Sequence, residues 1–340
     1  MLYFSCDYAE GCHPKVLEAL SDSNMVSTPG YGEDTFCQEA KAKIRDYIKC
    51  PDADIYFLVG GTQTNQVVID SMLSNFDGVV AAETGHVAMH EAGAIEYSGH
   101  KVITVPGHSG KIDAAELKQM LIDHYADDSC EHMVNPGMVY ISYPTEYGTI
   151  YSRDELDAIS SICKEYQMPL FIDGARLAYG LAAQDDLSMA DIAQFADVFY
   201  IGGTKVGALF GEAVVFTKGY TPKHMITQIK QHGALLAKGR LLGVQFGAMF
   251  TDDLYMEMGK HAVHQASIIR EDLRQKGYQL FMENPTNQIF VVMDNEALKS
   301  FGEKVVYGFW EKYDETHTVI RIATSWATTD ESVQALMNIL

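Results

Sequence analysis

Two stretches of the chain decide its fold class, Leu170-Phe-Ile-Asp-Gly-Ala-Arg176 and Val198-Phe-Tyr-Ile-Gly-Gly-Thr-Lys205. Each begins with a short apolar run and ends in glycine and a charged side chain. Apolar runs of this length are typical of strands that are buried on both faces of a parallel sheet. Because ligands bind just beyond the carboxyl ends of such strands, Asp173 and Lys205 are the first candidates for a functional site.

Five more apolar runs flank these two, and amphipathic stretches alternate with them. The runs cover residues 55–59, 79–81, 102–105, 139–143 and 213–216. Among the intervening stretches, residues 152–166 open with a capping box made by Ser152 and Glu155, which is typical of the start of a helix. Strands that alternate with helices predict an α/β fold with a mostly parallel seven-stranded sheet covered on both faces.

The length of 340 residues suits one large domain with a smaller domain attached. After Pro222 the pattern is helical to about Gly277, and apolar runs return at residues 289–293 and 319–323. We therefore predict a large domain over residues 1–247 and a smaller α/β domain over residues 248–340.

The balance of charged residues limits the possible partners. The chain has 25 Lys and Arg against 46 Asp and Glu, a net charge of −21 at pH 7, which repels the phosphates of nucleic acids and anionic lipids. No segment approaches the roughly 20 apolar residues of a membrane span, and the start of the chain lacks the pattern of a signal peptide. The six cysteines form no CxxC pair, as expected of reduced thiols. We expect a cytoplasmic protein with a small-molecule substrate and no nucleic-acid or membrane partner.

Polar or glycine residues follow most of the apolar runs, where the carboxyl edge of the sheet should gather them. Gly60-Gly61-Thr62 follows the first run and opens a helix, whose free N–H groups and positive end favour a phosphate. A plain turn with Thr62 as the helix cap is the alternative. The remaining residues of this kind are His86, Thr145-Glu146, Asp173 and Thr204-Lys205. We expect all of them in one site.

Asp173 and Lys205 indicate the chemistry of that site. A carboxylate at the end of a buried strand needs a partner, and a protonated pyridine nitrogen would serve. A lysine that follows two glycines at the end of a buried strand would be shielded from water. This would lower the pKa of its amine and favour the neutral form that forms a Schiff base. Together they indicate pyridoxal 5′-phosphate (PLP). The alternatives are an Asp173 that caps a turn or pairs with Arg176, and a Lys205 that is solvated on a loop.

His86 and His90 have the i, i+4 spacing of a metal-binding pair on one face of a helix. The HExxH order is absent from this segment and no third ligand is evident, whereas an imidazole stacked on the pyridine ring needs only His86. We therefore expect no metal site and a role for His86 at the cofactor.

These residues lie in motifs that resemble the threonine aldolase and β-eliminating lyase family of fold-type I PLP enzymes. The motifs are Gly60-Gly-Thr-Gln-Thr-Asn65, His86 with Glu91-Ala-Gly93, Phe171-Ile-Asp-Gly-Ala-Arg176, Thr204-Lys205, Tyr31-Gly-Glu-Asp34 and Arg321-Ile-Ala-Thr-Ser325. The similarity therefore spans nearly the whole chain. It implies a fold-type I PLP-dependent transferase-like fold and the activity of a low-specificity L-threonine aldolase, which yields glycine and an aldehyde. It also implies a homodimer or homotetramer with sites shared between subunits.

The resemblance also implies a role for each residue of the site. Lys205 would be the Schiff-base lysine, Asp173 the partner of the pyridine nitrogen and His86 the residue stacked on the ring. Arg176 and Arg321 would grip the substrate carboxylate, a bidentate task that suits guanidinium groups. The implied cofactor-binding residues are Gly61, Thr62, His86, Asp173, Thr204, Lys205 and, towards the phosphate of a neighbouring subunit, Lys238.

The chain departs from the family pattern at two positions. Cys6 stands where many members have a serine that contacts the substrate carboxylate, and Glu146 stands where some have a histidine near the substrate hydroxyl. A carboxylate can accept a hydroxyl proton or orient a water, so Glu146 and His86 are both candidates for the base that receives the β-hydroxyl proton. The alternative is a Glu146 that merely caps the Tyr147-Gly148 turn.

Two other classes of function compete with this prediction. A PLP enzyme with another reaction, β-elimination or transamination, would share every residue named above. A non-catalytic α/β binding protein or a dehydrogenase is the second class, but the GxGxxG that a dehydrogenase has after its first strand is absent here. The sequence leaves open the physiological substrate, the preference between threonine and allo-threonine, and the choice between dimer and tetramer.

Overall fold

The polypeptide folds into fourteen strands and fourteen α-helices, and the computed structural model describes all residues 1–340. The strands are β1 (Leu2–Tyr3), β2 (Asp54–Leu58), β3 (Asp77–Ala82), β4 (Val102–Val105), β5 (Gly107–His108), β6 (Lys111–Ile112), β7 (Asn135–Ser142), β8 (Leu170–Asp173), β9 (Val198–Gly202), β10 (Glu212–Phe216), β11 (Gln288–Asp294), β12 (Val305–Val306), β13 (Gly308–Lys312) and β14 (His317–Ala323). The helices are α1 (Pro14–Ser23), α2 (Thr35–Tyr47), α3 (Gly61–Met72), α4 (His86–Met89), α5 (Ala94–Tyr97), α6 (Ala114–Ala126), α7 (Arg153–Glu165), α8 (Leu177–Ala182), α9 (Met189–Phe195), α10 (Met225–Gln231), α11 (Arg240–Met249), α12 (Leu254–Gln275), α13 (Asn295–Gly302) and α14 (Asp330–Met337).

Seven strands form one sheet in the order β2-β10-β9-β8-β7-β3-β4. All neighbours are parallel except β10, which runs antiparallel to both β2 and β9. These are the seven strands that the sequence predicts, so the mostly parallel α/β sheet is confirmed. The largest difference in bounds is at β7, which begins at Asn135 and not at Val139.

The alternation of side chains along the strands explains why the sheet is covered on both faces. In β8, Leu170 and Ile172 enter the larger apolar cluster on one face, whereas Phe171 enters the cluster on the other. In β3, Val80 enters the larger cluster and Val79 enters the other. Successive side chains of a strand point to opposite faces, so a strand that is apolar throughout must be covered twice.

The helices that border the carboxyl edge begin in different ways. Ser152 caps α7 with the predicted capping box, in which Glu155 accepts a bond from the Ser152 N–H at 2.7 Å. α3 begins at Gly61, directly after β2, and no side chain caps it. Its first N–H groups are therefore available to a ligand.

A smaller α/β unit follows α11 in the chain. Its antiparallel sheet has the order β11-β14-β13, and α12, α13 and α14 contribute to a separate core of 14 buried residues. Phe4 belongs to this core and β1 pairs with β12, so the first residues of the chain join the C-terminal unit. The predicted boundary after residue 247 falls within α11 and stays a prediction. None of the helices combines the length and the apolar composition that crossing a membrane requires.

Candidate active site

The carboxyl edge of the seven-stranded sheet holds a cavity of about 270 Å³. β7, β8 and β9 end there, and the antiparallel β10 begins there with Glu212, which pairs in register with Gly202 and Leu58. The predicted site residues that line the cavity are Gly61, Thr62, His86, Glu146, Asp173, Arg176, Thr204 and Lys205. Residues that are far apart in the chain thus meet where the strand ends converge.

Asp173 is a fully hydrogen-bonded carboxylate at the floor of this cavity. Its four donors are Tyr140 Oη and Tyr200 Oη at 2.6 Å, and Asn65 Nδ2 and the Ala175 N–H at 3.0 Å. Burial opposes ionisation, but His86 and the hydrogen bonds from the two tyrosines outweigh it and hold the pKa of Asp173 below its ordinary value. The carboxylate is therefore ionised and fixed in place by the protein alone.

Lys205 follows β9 on a turn that Glu212 holds. The Glu212 carboxylate accepts bonds from Thr204 Oγ1 at 2.8 Å and from the Gly203 N–H at 2.9 Å. The Thr204 N–H donates to the Gly211 carbonyl at 3.1 Å. Because both donors of Thr204 are used within the turn, a contact between Thr204 and a phosphate stays a prediction.

Burial changes the ionisation of both charged groups on this turn. Burial and the Arg176 guanidinium lower the pKa of the Lys205 amine, which favours its neutral, nucleophilic form. Burial raises the pKa of Glu212 to about 7, even though its hydrogen bonds favour the ionised form. Sequence reasoning missed Glu212 because it begins an antiparallel strand, whereas the rule that locates ligands refers to the ends of parallel strands.

The start of α3 borders the same cavity. Gly61 and Thr62 line it, and a Cβ added at Gly60 would meet no atom within 4 Å. Gly60 is the N-cap and Thr62 lies inside the helix, so Thr62 is not the helix cap that the alternative required. An uncapped helix start with open space in front of it is suited to an anion.

His86 begins α4, just past the end of β3, and a buried carboxylate holds its ring. His86 Nδ1 bonds to Glu91 Oε1 at 2.7 Å, and Asn65 Nδ2 donates to the same oxygen at 2.6 Å as well as to Asp173. This leaves Nε2 as the free nitrogen of the ring. The His90 ring lies 5.7 Å away between centroids, and no three His, Cys, Asp or Glu side chains are grouped to hold a metal ion.

A second cavity of about 510 Å³ adjoins the first. Both are lined by Tyr8, His86, Glu146, Arg176 and Lys205. The walls found only in the second include Arg321 and the side chains Gln288, Tyr147, Phe309 and Trp310. The two cavities therefore form one continuous site.

Glu146 stands where the two cavities meet. Its Oε1 accepts bonds from Ser142 Oγ at 2.6 Å and from the His86 N–H at 2.9 Å, whereas its Oε2 is buried without a hydrogen-bonding partner. Burial raises the pKa of Glu146 above its ordinary value. The Tyr147-Gly148 turn is closed by the Gly148 N–H on the Thr145 carbonyl, and not by the Glu146 side chain. A carboxylate with one free oxygen and a raised pKa is suited to accept a proton.

The two arginines of the site have different partners. Arg176 donates to the buried Asp7 through Nε at 2.6 Å and Nη2 at 3.0 Å, so it does not pair with Asp173. Burial opposes the ionisation of Asp7, but Arg176 outweighs it and lowers the pKa of Asp7 to about 2. Arg321 contacts only neutral oxygens, Gln288 Oε1 at 3.1 Å and the Ser5 carbonyl at 2.8 Å, and its Nε has no partner. Arg321 therefore forms no direct ion pair with a neighbouring carboxylate.

Two of the predicted site residues lie outside both cavities. Lys238 is exposed on the surface, so its contact with a neighbouring subunit stays a prediction. Cys6 is partly buried beside Ser5 and does not line either cavity. A contact between Cys6 and the substrate also stays a prediction.

The hydroxyl donors to Asp173 are residues that sequence reasoning missed. Tyr140 and Tyr200 lie in the apolar runs of β7 and β9, and the pattern of these runs identifies them only as strand residues. A tyrosine hydroxyl that is buried needs a hydrogen-bonding partner. Two tyrosines in runs that lead to the same edge as Asp173 are the signal that could have found this network.

The residues of the first cavity fit PLP. The cofactor needs an amine for covalent attachment, an anionic partner for its pyridine nitrogen and N–H donors for its phosphate. Lys205 supplies an amine of lowered pKa, Asp173 a carboxylate that is held ionised, and the start of α3 the uncapped N–H groups. Each need is thus met by a residue that already lies at the cavity.

The chain is similar to known proteins over nearly its whole length. It matches the family model of the beta-eliminating lyases over residues 8–296. It is 28% identical to the low specificity L-threonine aldolase of Pseudomonas sp. (strain NCIMB 10558), over 98% of this chain and 95% of that protein. A solved structure of the threonine aldolase of Leishmania major is 39% identical with a TM-score of 0.96, over 100% of this chain and 98% of the other.

More distant structures share the fold alone. An aspartate aminotransferase of Thermus thermophilus is 14% identical with a TM-score of 0.71, over 100% of this chain and 90% of the other. This fold is that of the fold-type I PLP enzymes, as the sequence predicts. The family model covers most of the chain and the Leishmania major relative covers all of it. This chain is therefore a PLP-dependent lyase that belongs to the threonine aldolase and beta-eliminating lyase family.

Proposed function

We propose that this chain is an aldehyde-lyase that cleaves β-hydroxy-α-amino acids of the L-threonine and L-allo-threonine type to glycine and an aldehyde. The observation that carries the proposal is the continuity of the two cavities. Asp173 lines only the first and Arg321 only the second, whereas Lys205 and Glu146 line both. The names of the relatives, a low specificity L-threonine aldolase in Pseudomonas and a threonine aldolase in Leishmania major, support the same reaction.

Residues of the first cavity would hold the cofactor. Lys205 would bind PLP covalently, with Asp173 at the pyridine nitrogen and His86 against the ring, and the N–H groups of Gly61 and Thr62 would receive the phosphate. When bound, PLP supplies a sink for the electron pair of the breaking Cα–Cβ bond. The ionised Asp173 supports that sink because a carboxylate favours a protonated pyridine nitrogen.

Residues of the second cavity act on the substrate. Arg321 binds the α-carboxylate with the charge that its neutral neighbours leave uncompensated, and Arg176 adds the Nη1 that Asp7 does not occupy. The Glu146 carboxylate, which borders both cavities, accepts the β-hydroxyl proton as the Cα–Cβ bond breaks. His86 is the second candidate for this proton, since its Nε2 is free.

We also propose that the protein is a homo-oligomer, a dimer or a tetramer, in the cytoplasm. Tyr31, Ile226 and Leu235 line an open surface groove, and Tyr31 and Ile226 are exposed. Exposed apolar surface of this kind is typical of an interface between chains. Lys238 follows Leu235 closely and is exposed, so a neighbour that covers the groove would come near it. The six free cysteines are consistent with a reducing compartment.

Product analysis of the PLP-loaded protein tests the proposed reaction. We expect glycine and acetaldehyde in equal amounts from L-threonine and from L-allo-threonine. A β-eliminating lyase would instead release pyruvate and ammonia from L-serine, and an aminotransferase would pass the amino group to an added keto acid. Either of these activities in the absence of acetaldehyde would contradict the proposal.

A further inference from the structure

The segment Asn284-Pro-Thr-Asn-Gln288, which leads into β11, is polar and yet buried. Asn284 is 7% exposed, and Thr286, Asn287 and Gln288 are 0% exposed. Buried amides and hydroxyls are costly unless they form hydrogen bonds. Thr286, Asn287 and Gln288 each donate one to a group at or beside the active site.

Thr286 and Gln288 hold the turn that carries Glu146. Thr286 Oγ1 donates to the Gly148 carbonyl at 3.0 Å, and Gln288 Nε2 donates to the Glu146 carbonyl at 3.4 Å. Gly148 has a φ of +73°, and a Cβ there would stand 2.5 Å from Thr286 Oγ1. Glycine therefore lets the turn close against this segment, and the place of Glu146 depends on the start of β11.

Asn287 and Gln288 also reach the two arginines. Asn287 Nδ2 donates at 2.9 Å to Asp7, which is the partner of Arg176. Gln288 Oε1 accepts from Arg321 Nη1 at 3.1 Å. The two ends of the Gln288 amide thus contact the guanidinium that would bind the α-carboxylate of the proposed substrate and the main chain of Glu146, whose side chain would face the β-hydroxyl.

The neutrality of the amide matters because of the charge on Arg321. Gln288 and the Ser5 carbonyl orient the guanidinium without neutralising it. Asp7, in contrast, neutralises Arg176, because its carboxylate accepts two hydrogen bonds from that guanidinium. A glutamate at position 288 would place a second acidic partner in the site and would compete with a substrate carboxylate.

We propose that Gln288 is a positioning residue that sets the distance between the carboxylate grip of Arg321 and the proton acceptor Glu146. The inference rests on the proposed function, because it requires a substrate with an α-carboxylate and a β-hydroxyl. One buried side chain that contacts both the Arg321 guanidinium and the main chain of Glu146 fixes the span that the substrate must bridge. Its neutral amide leaves the charge of Arg321 free for the ligand.

Two substitutions separate the charge of this amide from its hydrogen bonds. Gln288→Glu keeps the size and adds a charge beside Arg321, so we expect KM for L-threonine and the dissociation constant of glycine to rise about tenfold or more. Gln288→Met is neutral and loses both contacts, so we expect kcat to fall about tenfold or more while glycine affinity stays within about threefold of wild type. Glycine binding is measured from the absorbance change of the PLP-loaded protein.

Gln334→Glu is the matched control, because it adds the same charge on the exposed side of α14. The affinity for PLP should match the wild type in all three variants. Unchanged glycine affinity in Gln288→Glu would overturn the inference, and so would a parallel loss of PLP affinity, which would make Gln288 merely structural. Weaker glycine binding supports the inference even if the wild type does not cleave threonine, so failure of the proposed reaction would be seen separately in the product analysis.

Discussion

The cavity around Asp173 and the cavity around Arg321 share several lining residues, but their hydrogen bonding differs. Each oxygen of the Asp173 carboxylate has two donors. In the other cavity, the Nε of Arg321 and the Oε2 of Glu146 are buried without a partner. The hydrogen-bonding partners of Arg321 are neutral oxygens, so the carboxylate of a ligand would be the first acidic group to form an ion pair with this guanidinium.

This difference indicates two ways of preparing a site for catalysis. On the cofactor side the protein itself holds the charged groups. Folding therefore orients them before the cofactor binds, and little free energy is needed to reorient them during the reaction. On the substrate side the protein leaves hydrogen-bonding capacity open, and the substrate completes it. Substitutions of the groups that would bind the cofactor directly should therefore remove the chemistry, whereas substitutions on the substrate side should change affinity and proton transfer.

The largest effect is expected from Lys205→Ala on the cofactor side. Alanine has no amine, so borohydride treatment should leave no PLP attached to the chain, and turnover of L-threonine should fall below detection. The donors to Asp173 do not include Lys205, so the thermal unfolding midpoint of the cofactor-free chain should stay near that of the wild type. Mass spectrometry after reduction measures the attachment.

Lys223→Ala, at an exposed position, is the control for the loss of one lysine. It should keep both the attached cofactor and the activity. PLP that remains fixed to the Lys205→Ala chain after reduction would show that another amine holds the cofactor, and the contrast between the two cavities would lose its chemical basis.

The cofactor side could be predicted from the sequence because the end of each strand is recognised from a few consecutive residues. The seven apolar runs gave the sheet, and the residues that follow them, such as Asp173 and Lys205, meet at its carboxyl edge. The sequence does not predict a role for Glu212. An antiparallel strand brings its first residue, and not its last, to the carboxyl edge of the parallel strands, and an apolar run alone does not show the direction of a strand.

The substrate side could be predicted only in part. The resemblance to a family predicts roles for Arg176 and Arg321, but not their partners. Gln288 meets Arg321 across the pairing of β11 with β14, and Asp7 meets Arg176 across 169 positions of the chain. No periodicity along the chain encodes such long-range contacts. The pairing of β1 with β12 went unpredicted for the same reason, since each of these strands has only two residues.

A smaller effect is expected from Glu146→Gln, which tests the free oxygen on the substrate side. An amide cannot accept the hydroxyl proton, so kcat for L-threonine should fall roughly 10²-fold while the absorbance of the bound PLP is unchanged. The pH dependence has a definite sign. Burial raises the pKa of Glu146, and only the ionised carboxylate accepts a proton, so wild-type kcat should fall as the pH is lowered through that raised pKa. The Gln variant should lack this acid limb.

His86→Asn is the comparison that assigns the proton to one residue. If His86 is the acceptor, the Asn variant loses kcat and Glu146→Gln keeps nearly all of it. Steady-state kinetics of both variants between about pH 5 and 9 distinguish the two outcomes. Wild-type kcat in Glu146→Gln would mean that the unpartnered Oε2 has no part in proton transfer.

The smallest effect is expected on the cofactor side from Glu212→Gln, and it concerns stability. Burial raises the pKa of Glu212 to about 7 in the folded chain, against an ordinary value of 4.5. Between these two values the folded chain keeps a proton that the unfolded chain has released. The free energy of unfolding of the wild type should therefore fall as the pH rises through this range, and it should be lowest above about pH 7.

Glutamine can keep the turn before Lys205, because its carbonyl can accept from the Gly203 N–H while its amide donates to the Thr204 hydroxyl. It has no proton to release, so the thermal midpoints of the cofactor-free wild type and Glu212→Gln should differ little near pH 5. They should separate by about 5 °C near pH 8, with the variant the more stable.

Glu303→Gln, at an exposed position, is the control, and its thermal midpoint should follow that of the wild type at every pH. Thermal midpoints that change with pH in the same way for Glu212→Gln and the wild type would mean that the folded chain holds Glu212 ionised without cost. The cofactor side would then have a second ionised carboxylate besides Asp173. Its negative charge would raise the pKa of the Lys205 amine above the value that burial alone would give.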